Sequence, residues 1–437
     1  MRTSLTIGLF LTVFTMAVAA QPVPQSTPPA QSHDLQAAAE AVAKYFREDP
    51  SGIDQLFAPE FLAQVPAARL VAVMKQFYTQ FGRCTGVKLE KQASPTVGQF
   101  QFAFEKGFTA PVNLAINDTS AHSIIGFQIG APVSTSETLS AVVDKMKALP
   151  GQVSFLAQRL DASGPVGLAE WQPAQALGIG SAFKLYILGA LTNQISAGRR
   201  HWNDVIQLEM LSLPSGILQK WPLGTPFTLQ SLASLMISIS DNTATDTLLR
   251  AVGREQVEAM LPVMEHSQPA LDQPFLSTIE MFQLKWGILD DQLKTYIADD
   301  TAARRAFLQT MKPPASLAAL TAAATGTTTP KMIDQVEWFG SATDLCHAMA
   351  WFRADDNARN TARQVLAINP GIPLSSTRWA YIGFKGGSEP GVISLNFLLR
   401  SQSGQWYAVS AIWNDPKGAV SETEWVSLVS RAIELLP

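Results

Sequence analysis

The sequence predicts an α+β protein, a small α+β lobe followed by a larger one, and three observations carry that prediction. An alanine-rich helical pattern near residue 35 gives way to two-residue apolar alternation by Phe100. Helical patterns then dominate the centre of the remaining chain. Strand patterns flank that centre on both sides, which suggests one sheet assembled from both ends and covered by helices.

The elements follow in order. Arg2 and an apolar run from Leu5 to Val18, with small residues at Ala17, Ala19 and Ala20, read as a secretory signal peptide over residues 1–20. The run is shorter than the roughly 20 residues a membrane helix needs, so cleavage is expected and a stable membrane anchor is not. Residues 21–33 carry Pro22, Pro24, Pro28 and Pro29 among Gln, Ser and Thr, a composition suited to a flexible linker. The small lobe is expected over 34–133. Its helices start at Leu35 and continue through Leu70, Met74 and Phe77; three strands follow, around Phe100–Phe104, Val112–Ile116 and Ile124–Ile129. His122 there reads as a surface or packed histidine.

The second lobe, 134–437, begins with a helix over Ser136–Leu149. A hairpin joins Val153–Leu160 to Val166–Trp171 across Asp161-Ala162-Ser163-Gly164-Pro165. Three strands close the lobe, at Trp379–Lys385, Val392–Arg400 and Trp406–Trp413. A final helix carries Trp425, Leu428, Val429, Ala432 and Ile433 on one face.

Composition bounds the function. A net charge of −4 with no basic run argues against a nucleic-acid partner. The five histidines form no metal-ligand pattern, so neither a metal nor a cofactor is expected. Cys84 and Cys346 are far apart, and two free thiols are at least as consistent with that spacing as a disulfide.

Chemistry concentrates at three places. Ser181 and Lys184, in Gly180-Ser181-Ala182-Phe183-Lys184, share a face at the head of an apolar helix, where an amine could take the proton of a hydroxyl. Such a pair also fits a surface helix start with Ser181 as cap and Lys184 solvated. Downstream, an apolar helix over Thr228–Ile239 runs into Ser240-Asp241-Asn242, which would also suit an ordinary loop and cap. Lys385-Gly386-Gly387-Ser388 ends a strand whose Trp379, Tyr381, Gly383 and Lys385 point one way; a solvated lysine before a glycine turn would read the same.

In this order the three elements resemble the S-x-x-K, S-D-N and K-T-G motifs of the serine β-lactamase and penicillin-binding protein family. The resemblance covers about Ser136–Pro437 and implies a class A β-lactamase-like domain, an antiparallel sheet flanked by helices with a helical subdomain. A small α+β lobe ahead of such a domain is similar to the β-lactamase-like protein of clavulanic acid biosynthesis. The resemblance implies catalytic roles for Ser181 as nucleophile, Lys184 as base and Ser240 as proton relay. It implies substrate binding by Asn242, Lys385, Gly387 and Ser388, with the N–H groups of Ser181 and Ser388 as the oxyanion hole.

This chain departs from the family pattern twice. Gly386 replaces the hydroxyl residue of K-T-G, with Ser388 close by. The E-P-x-L-N loop that activates the deacylating water in class A enzymes is not matched in His266–Glu280, where Asp272 and Glu280 are the acids and Glu280 reads as a helix-dipole residue. The signal peptide implies a periplasmic or secreted protein, and the resemblance implies a serine hydrolase acting on a β-lactam or a small amide or ester of similar shape. A D-Ala-D-Ala peptidase and a non-catalytic cell-wall or β-lactam-binding protein are the alternatives.

Overall fold

The computed structural model describes residues 33–437 apart from 119–122, 131, 214, 373 and 376. The expected signal peptide and the linker through residue 32 lie outside the described residues, as does His122. Among the described residues no helix is long and apolar enough to cross a membrane. The chain divides into two compact units, Met1–Glu137 and Thr138–Pro437.

In the first unit, helices α1 (His33–Ala43), α2 (Pro59–Gln64) and α3 (Ala67–Phe81) precede five strands. These are β1 (Cys84–Ser94), β2 (Val97–Phe104), β3 (Phe108–Ile116), β4 (Ile124–Ile129) and a short β5 (Val133–Ser134). They form one antiparallel sheet in the order β1-β2-β3-β4, with β5 on the start of β3. Alternation along β2 turns Phe100, Phe102 and Phe104 inward, and Phe46 meets the last two edge-on at ring distances of 6.0 and 5.1 Å. Leu70 and Met74 bury the inner face of α3. The two-residue β5 and the long strand β1 are additional to the three strands expected, and β1 is the informative case. As an edge strand it buries no residue fully, so its sequence carries no apolar alternation to read.

The second unit opens with α4 (Leu139–Lys147), capped by Thr138, whose hydroxyl accepts from Ala141 N. Strands β6 (Gln152–Asp161) and β7 (Gly164–Trp171) form the expected hairpin, and a short β8 (Leu177–Gly178) leads to the turn that bears Ser181. The core helix α5 (Lys184–Ser196) follows, then β9 (Val205–Gln207) and β10 (Pro226–Thr228), then α6 (Leu229–Ser238), α7 (Asn242–Val252) and α8 (Arg254–Val263). Helices α9 (Thr278–Trp286), α10 (Asp290–Ala298), α11 (Thr301–Thr310) and α12 (Leu317–Thr325) lead to β11 (Phe339–Gly340), α13 (Ala342–Trp351) and α14 (Asn357–Leu366). The chain ends with β12 (Trp379–Glu389), β13 (Val392–Ser401), β14 (Trp406–Asn414) and α15 (Glu422–Glu434).

The main sheet has the order β12-β13-β14-β6-β7, so strands from the two ends of the unit meet where β14 pairs with β6. Its central strands are buried on both faces. Val153, Phe155 and Ala157 of β6 join a core under α4 and α15 with Val142, Trp425 and Val429. Leu156 and Leu160 join the opposite core with α5 and α13. Helix α5 is buried almost all round, which explains its continuous apolar sequence. Gly189 lets it approach the end of α8, where an added Cβ would lie 2.4 Å from Met264 Sδ. Cys84 in the first unit and Cys346 in the second are both free thiols.

Trp425 is fully buried and packs 5.8 Å from Trp413. Truncation to alanine leaves a large cavity between α15 and the sheet, so Trp425→Ala is expected to cost about 3–5 kcal/mol in urea unfolding of the full chain.

Candidate active site

Ser181 sits in a 3-10 turn, Gly180–Phe183, that feeds directly into α5. Phe183 anchors the turn by stacking on Trp338 at a ring distance of 3.7 Å. Ile179 N donates to Trp338 O, and Ile179 O accepts from Ser394 Oγ at 2.8 Å. The turn is thus fixed to both the sheet and the segment before β11.

Lys184, at the first position of α5, has no exposed surface. Its Nζ donates to Ser240 O at 2.8 Å, to Ser240 Oγ at 2.9 Å and to Asn242 Oδ1 at 2.7 Å. A solvated helix-start lysine is therefore excluded. Burial, reinforced by the charge of Lys385, holds the Lys184 amine well below the ordinary lysine range, against the opposing pull of Asp246 and Asp241. A buried amine that favours its neutral form can accept a proton.

The Ser240-Asp241-Asn242 segment divides its labour by direction. Ser240 and Asn242 face Lys184. Asp241 turns the other way, fully buried, where Oδ1 caps α7 at Ala244 N and Oδ2 accepts from Ile217 N at 2.6 Å and Leu218 N at 2.8 Å. Ser240 adopts φ +56°, a left-handed conformation that costs a non-glycine residue of order 1 kcal/mol or more. Its carbonyl is held by Lys184 Nζ and by Ser215 Oγ at 2.6 Å, and Asn242 N donates to Ser215 O. Those contacts impose the strained backbone that presents the Ser240 hydroxyl.

Strand β12 completes the site. Gly180 (φ +49°) and Gly387 face each other so closely that a Cβ on Gly387 would lie 2.2 Å from Ile179 O and 2.6 Å from Ser181 N. One on Gly180 would lie 2.9 Å from Ser388 N. Glycine at both places brings the backbone N–H groups of Ser181 and Ser388 side by side. Asn396 donates to Lys385 O at 3.0 Å and accepts from Ser410 Oγ at 2.8 Å, bracing β12 from below. Lys385 Nζ donates to Ser240 Oγ at 3.1 Å and Gly386 O at 2.6 Å. Burial lowers its pKa to about 7.

Ser181, Ser240, Asn242, Lys385, Gly387 and Ser388 all line one cavity of about 500 Å³. Lys184 lies beneath it and reaches it through Ser240 and Asn242. The lysine's three hydrogen bonds go to Ser240 and Asn242, and none to Ser181 Oγ. Asp272 and Glu280, the acids of the 266–280 stretch, work elsewhere. Asp272 pairs with the buried His266 at 3.2 Å, while Glu280 forms a capping box with Ser277 and an ion pair with Arg254 at 2.6 Å. The segment Gln273-Pro274-Phe275-Leu276-Ser277 keeps P-x-L with glutamine where E-P-x-L-N has glutamate, and Phe275 packs beneath Phe183. Among the described residues no group of three or more His, Cys, Asp or Glu could hold a metal ion.

Four residues here carry no signal in their own segments: Ser215, and a buried trio of Glu337 and Glu389 at the cavity wall with Lys285 behind them. Lys285 Nζ lies 3.1 Å from Glu337 and 2.5 Å from Glu389. These residues are remote from each other in sequence, and only the packing of α9 against the end of β12 brings them together.

Folding lowers the Lys385 pKa from its ordinary value to about 7, so the unfolded chain binds more protons between those two values. The cost of burying this lysine is complete below about pH 7 and fades as pH rises toward 10.5. Lys385→Met is therefore expected to raise the unfolding midpoint at pH 7 and to lose most of that gain by pH 10, as denaturation at the two pH values would measure.

Residues 134–333 match a family model described as the beta-lactamase enzyme family. Among solved structures, similar chains include a beta-lactamase from Sphaerobacter thermophilus (19% identity, TM-score 0.46, covering 68% of this chain and 94% of that one). A second is PBP-A (15%, TM-score 0.45, 68% and 96%), and a third a beta-lactamase from Francisella tularensis (12%, TM-score 0.45, 68% and 97%). No curated protein matches. The family match falls on the turn of Ser181, the buried Lys184 and the Ser240 loop, so residues 134–333 of the second unit are similar to the beta-lactamase enzyme family.

Proposed function

We propose that this protein is an exported serine hydrolase that acylates Ser181 with a β-lactam, or with a small amide or ester of similar shape, and then hydrolyses the acyl-enzyme. The observation that carries the proposal is the buried Lys184 amine, depressed in pKa and bonded to both Ser240 and Asn242 beneath the cavity of Ser181.

In this reading Ser181 Oγ attacks the substrate carbonyl and its proton passes to the neutral Lys184 amine. The N–H groups of Ser181 and Ser388 receive the oxyanion, each such donor being worth roughly 10²–10³ in rate. As the carbon–nitrogen bond breaks, the leaving nitrogen takes a proton from Ser240 Oγ, which Lys184 replenishes across 2.9 Å. Lys184 is then neutral again and Ser181 carries the ester. Lys385, 3.1 Å from Ser240 Oγ, faces the leaving-group end and would attract a carboxylate there.

The test is intact-mass analysis and turnover with a penicillin and a chromogenic cephalosporin. Wild type is expected to gain one acyl mass on Ser181 and to turn substrate over, and Ser181→Ala to do neither. An adduct that persists for hours identifies an acylating peptidase or binder instead, and no adduct with β-lactams or simple esters contradicts the nucleophile assignment.

A pH dependence follows from Lys385. Capture of a carboxylate needs the ammonium form, so kcat/KM for an anionic penicillin should fall as pH rises through about 7 in the free protein. A neutral ester should lack that alkaline limb. Identical profiles for the two substrates would contradict the role given to Lys385.

A further inference from the structure

Three ionisable side chains that take no part in acylation cluster beside the same cavity, with Glu337 and Glu389 in its wall and Lys285 behind them. Lys285 comes from α9, Glu337 from the segment before β11 and Glu389 from the last position of β12; their side chains are 0, 0 and 10% exposed. Burying such a group is expensive, and apolar residues could join α9 to the sheet at lower cost. The trio is also unevenly satisfied. Glu337 Oε2 accepts from Lys285 and its Oε1 from Trp338 N, whereas Glu389 Oε1 accepts from Lys285 and its Oε2 is buried with no partner.

Position gives this carboxyl its significance, since the Glu389 side chain keeps a tenth of its surface exposed and lines the cavity. Glu389 directly follows Ser388, whose N–H stands beside that of Ser181, and neighbouring Cα atoms are only about 3.8 Å apart. A substrate lying along β12 with its leaving group at Lys385 brings its acyl carbon to Ser388 and continues toward Glu389. Glu337 and Glu389 both line the cavity; the other lining acid, Glu422, is exposed on α15. Hydrolysis of the Ser181 ester needs a proton acceptor, and Asp272 and Glu280 are committed elsewhere.

We infer that Glu389 accepts the proton of the water that hydrolyses the Ser181 ester, with Lys285 and Glu337 as positioning residues that hold its carboxyl at the cavity wall. The inference rests on the acyl-enzyme reading above. Water oxygen bonds to the ester carbon as one of its protons moves to the Glu389 carboxylate. The bond between that carbon and Ser181 Oγ then breaks, Glu389 returns the proton to Ser181 Oγ, and the acyl group leaves as a carboxylic acid. Burial, then the facing Glu337, raise the Glu389 carboxyl well above the ordinary range and so favour its protonated form; the ion pair with Lys285 opposes them and holds the carboxylate that accepts the proton.

The test separates acylation from deacylation in the full chain, by stopped-flow and intact mass with benzylpenicillin and a chromogenic cephalosporin. Glu389→Gln is expected to acylate within about threefold of wild type and to deacylate at least 100-fold more slowly, so that the adduct accumulates. Glu389→Asp, which keeps the base but shortens its reach, should retain at least tenfold more deacylation than Glu389→Gln; if the glutamine variant fails to fold, the aspartate variant should still lose deacylation selectively. Deacylation within threefold of wild type, or acylation and deacylation falling by the same factor, overturns the inference while leaving Ser181 as nucleophile. A wild type that forms no adduct and turns nothing over overturns both.

Discussion

The site depends on one buried amine. Lys184 Nζ is enclosed at the head of a core helix and can be there only because Ser240 O, Ser240 Oγ and Asn242 Oδ1 all stand within hydrogen-bond distance of it. Those acceptors are not where an ordinary loop would put them. Ser240 must hold a left-handed backbone, and Asp241 must turn away to grip Ile217, Leu218 and the start of α7. The strain at Ser240 and the burial of Lys184 support each other, and loss of either would release both. Burial also moves the amine toward its neutral form, so the packing that makes the site costly is the packing that gives it chemistry.

The sheet supplies the second half of the site by close approach. Because β6 and β14 join the two ends of the unit, β12 is fixed at the sheet edge through β13, and Ser394, Asn396 and Ser410 tie that edge to Ile179 and to the backbone of Lys385. Gly180 and Gly387 remove the side chains that would hold the turn and the strand apart. Two lysines then bracket one serine hydroxyl, Lys184 at 2.9 Å and Lys385 at 3.1 Å. Each is buried, and their mutual repulsion is part of why Lys184 favours the neutral state.

Much of this was legible in the sequence because it is local. A serine and lysine three apart, a Ser-Asp-Asn segment and a Lys-Gly-Gly strand end each declare themselves within a few residues, and the structure gathers them around one cavity. The α+β composition and the two-ended sheet followed from periodicity. Strand β1 escaped notice because an edge strand with no buried residue has no period to detect. Ser215 and the trio of Lys285, Glu337 and Glu389 were invisible for a different reason, since each is an ordinary residue in its own segment and acquires meaning only across a tertiary contact. The direct Ser181–Lys184 contact expected from spacing gives way to a lysine held by Ser240 and Asn242, because a helix face fixes side-chain direction while partners at other segments fix its end point.

The chemistry of the site turns on the protonation state of Lys184, and that can be measured without any substrate. In protein labelled with carbon-13 at the lysine ε position, NMR titration of wild type against a Lys184→Arg control assigns the resonance. Lys184 is expected to titrate well below the ordinary lysine range, in the company of a Lys385 resonance near pH 7. A Lys184 that stays protonated up to about pH 10, like a solvated lysine, would contradict it.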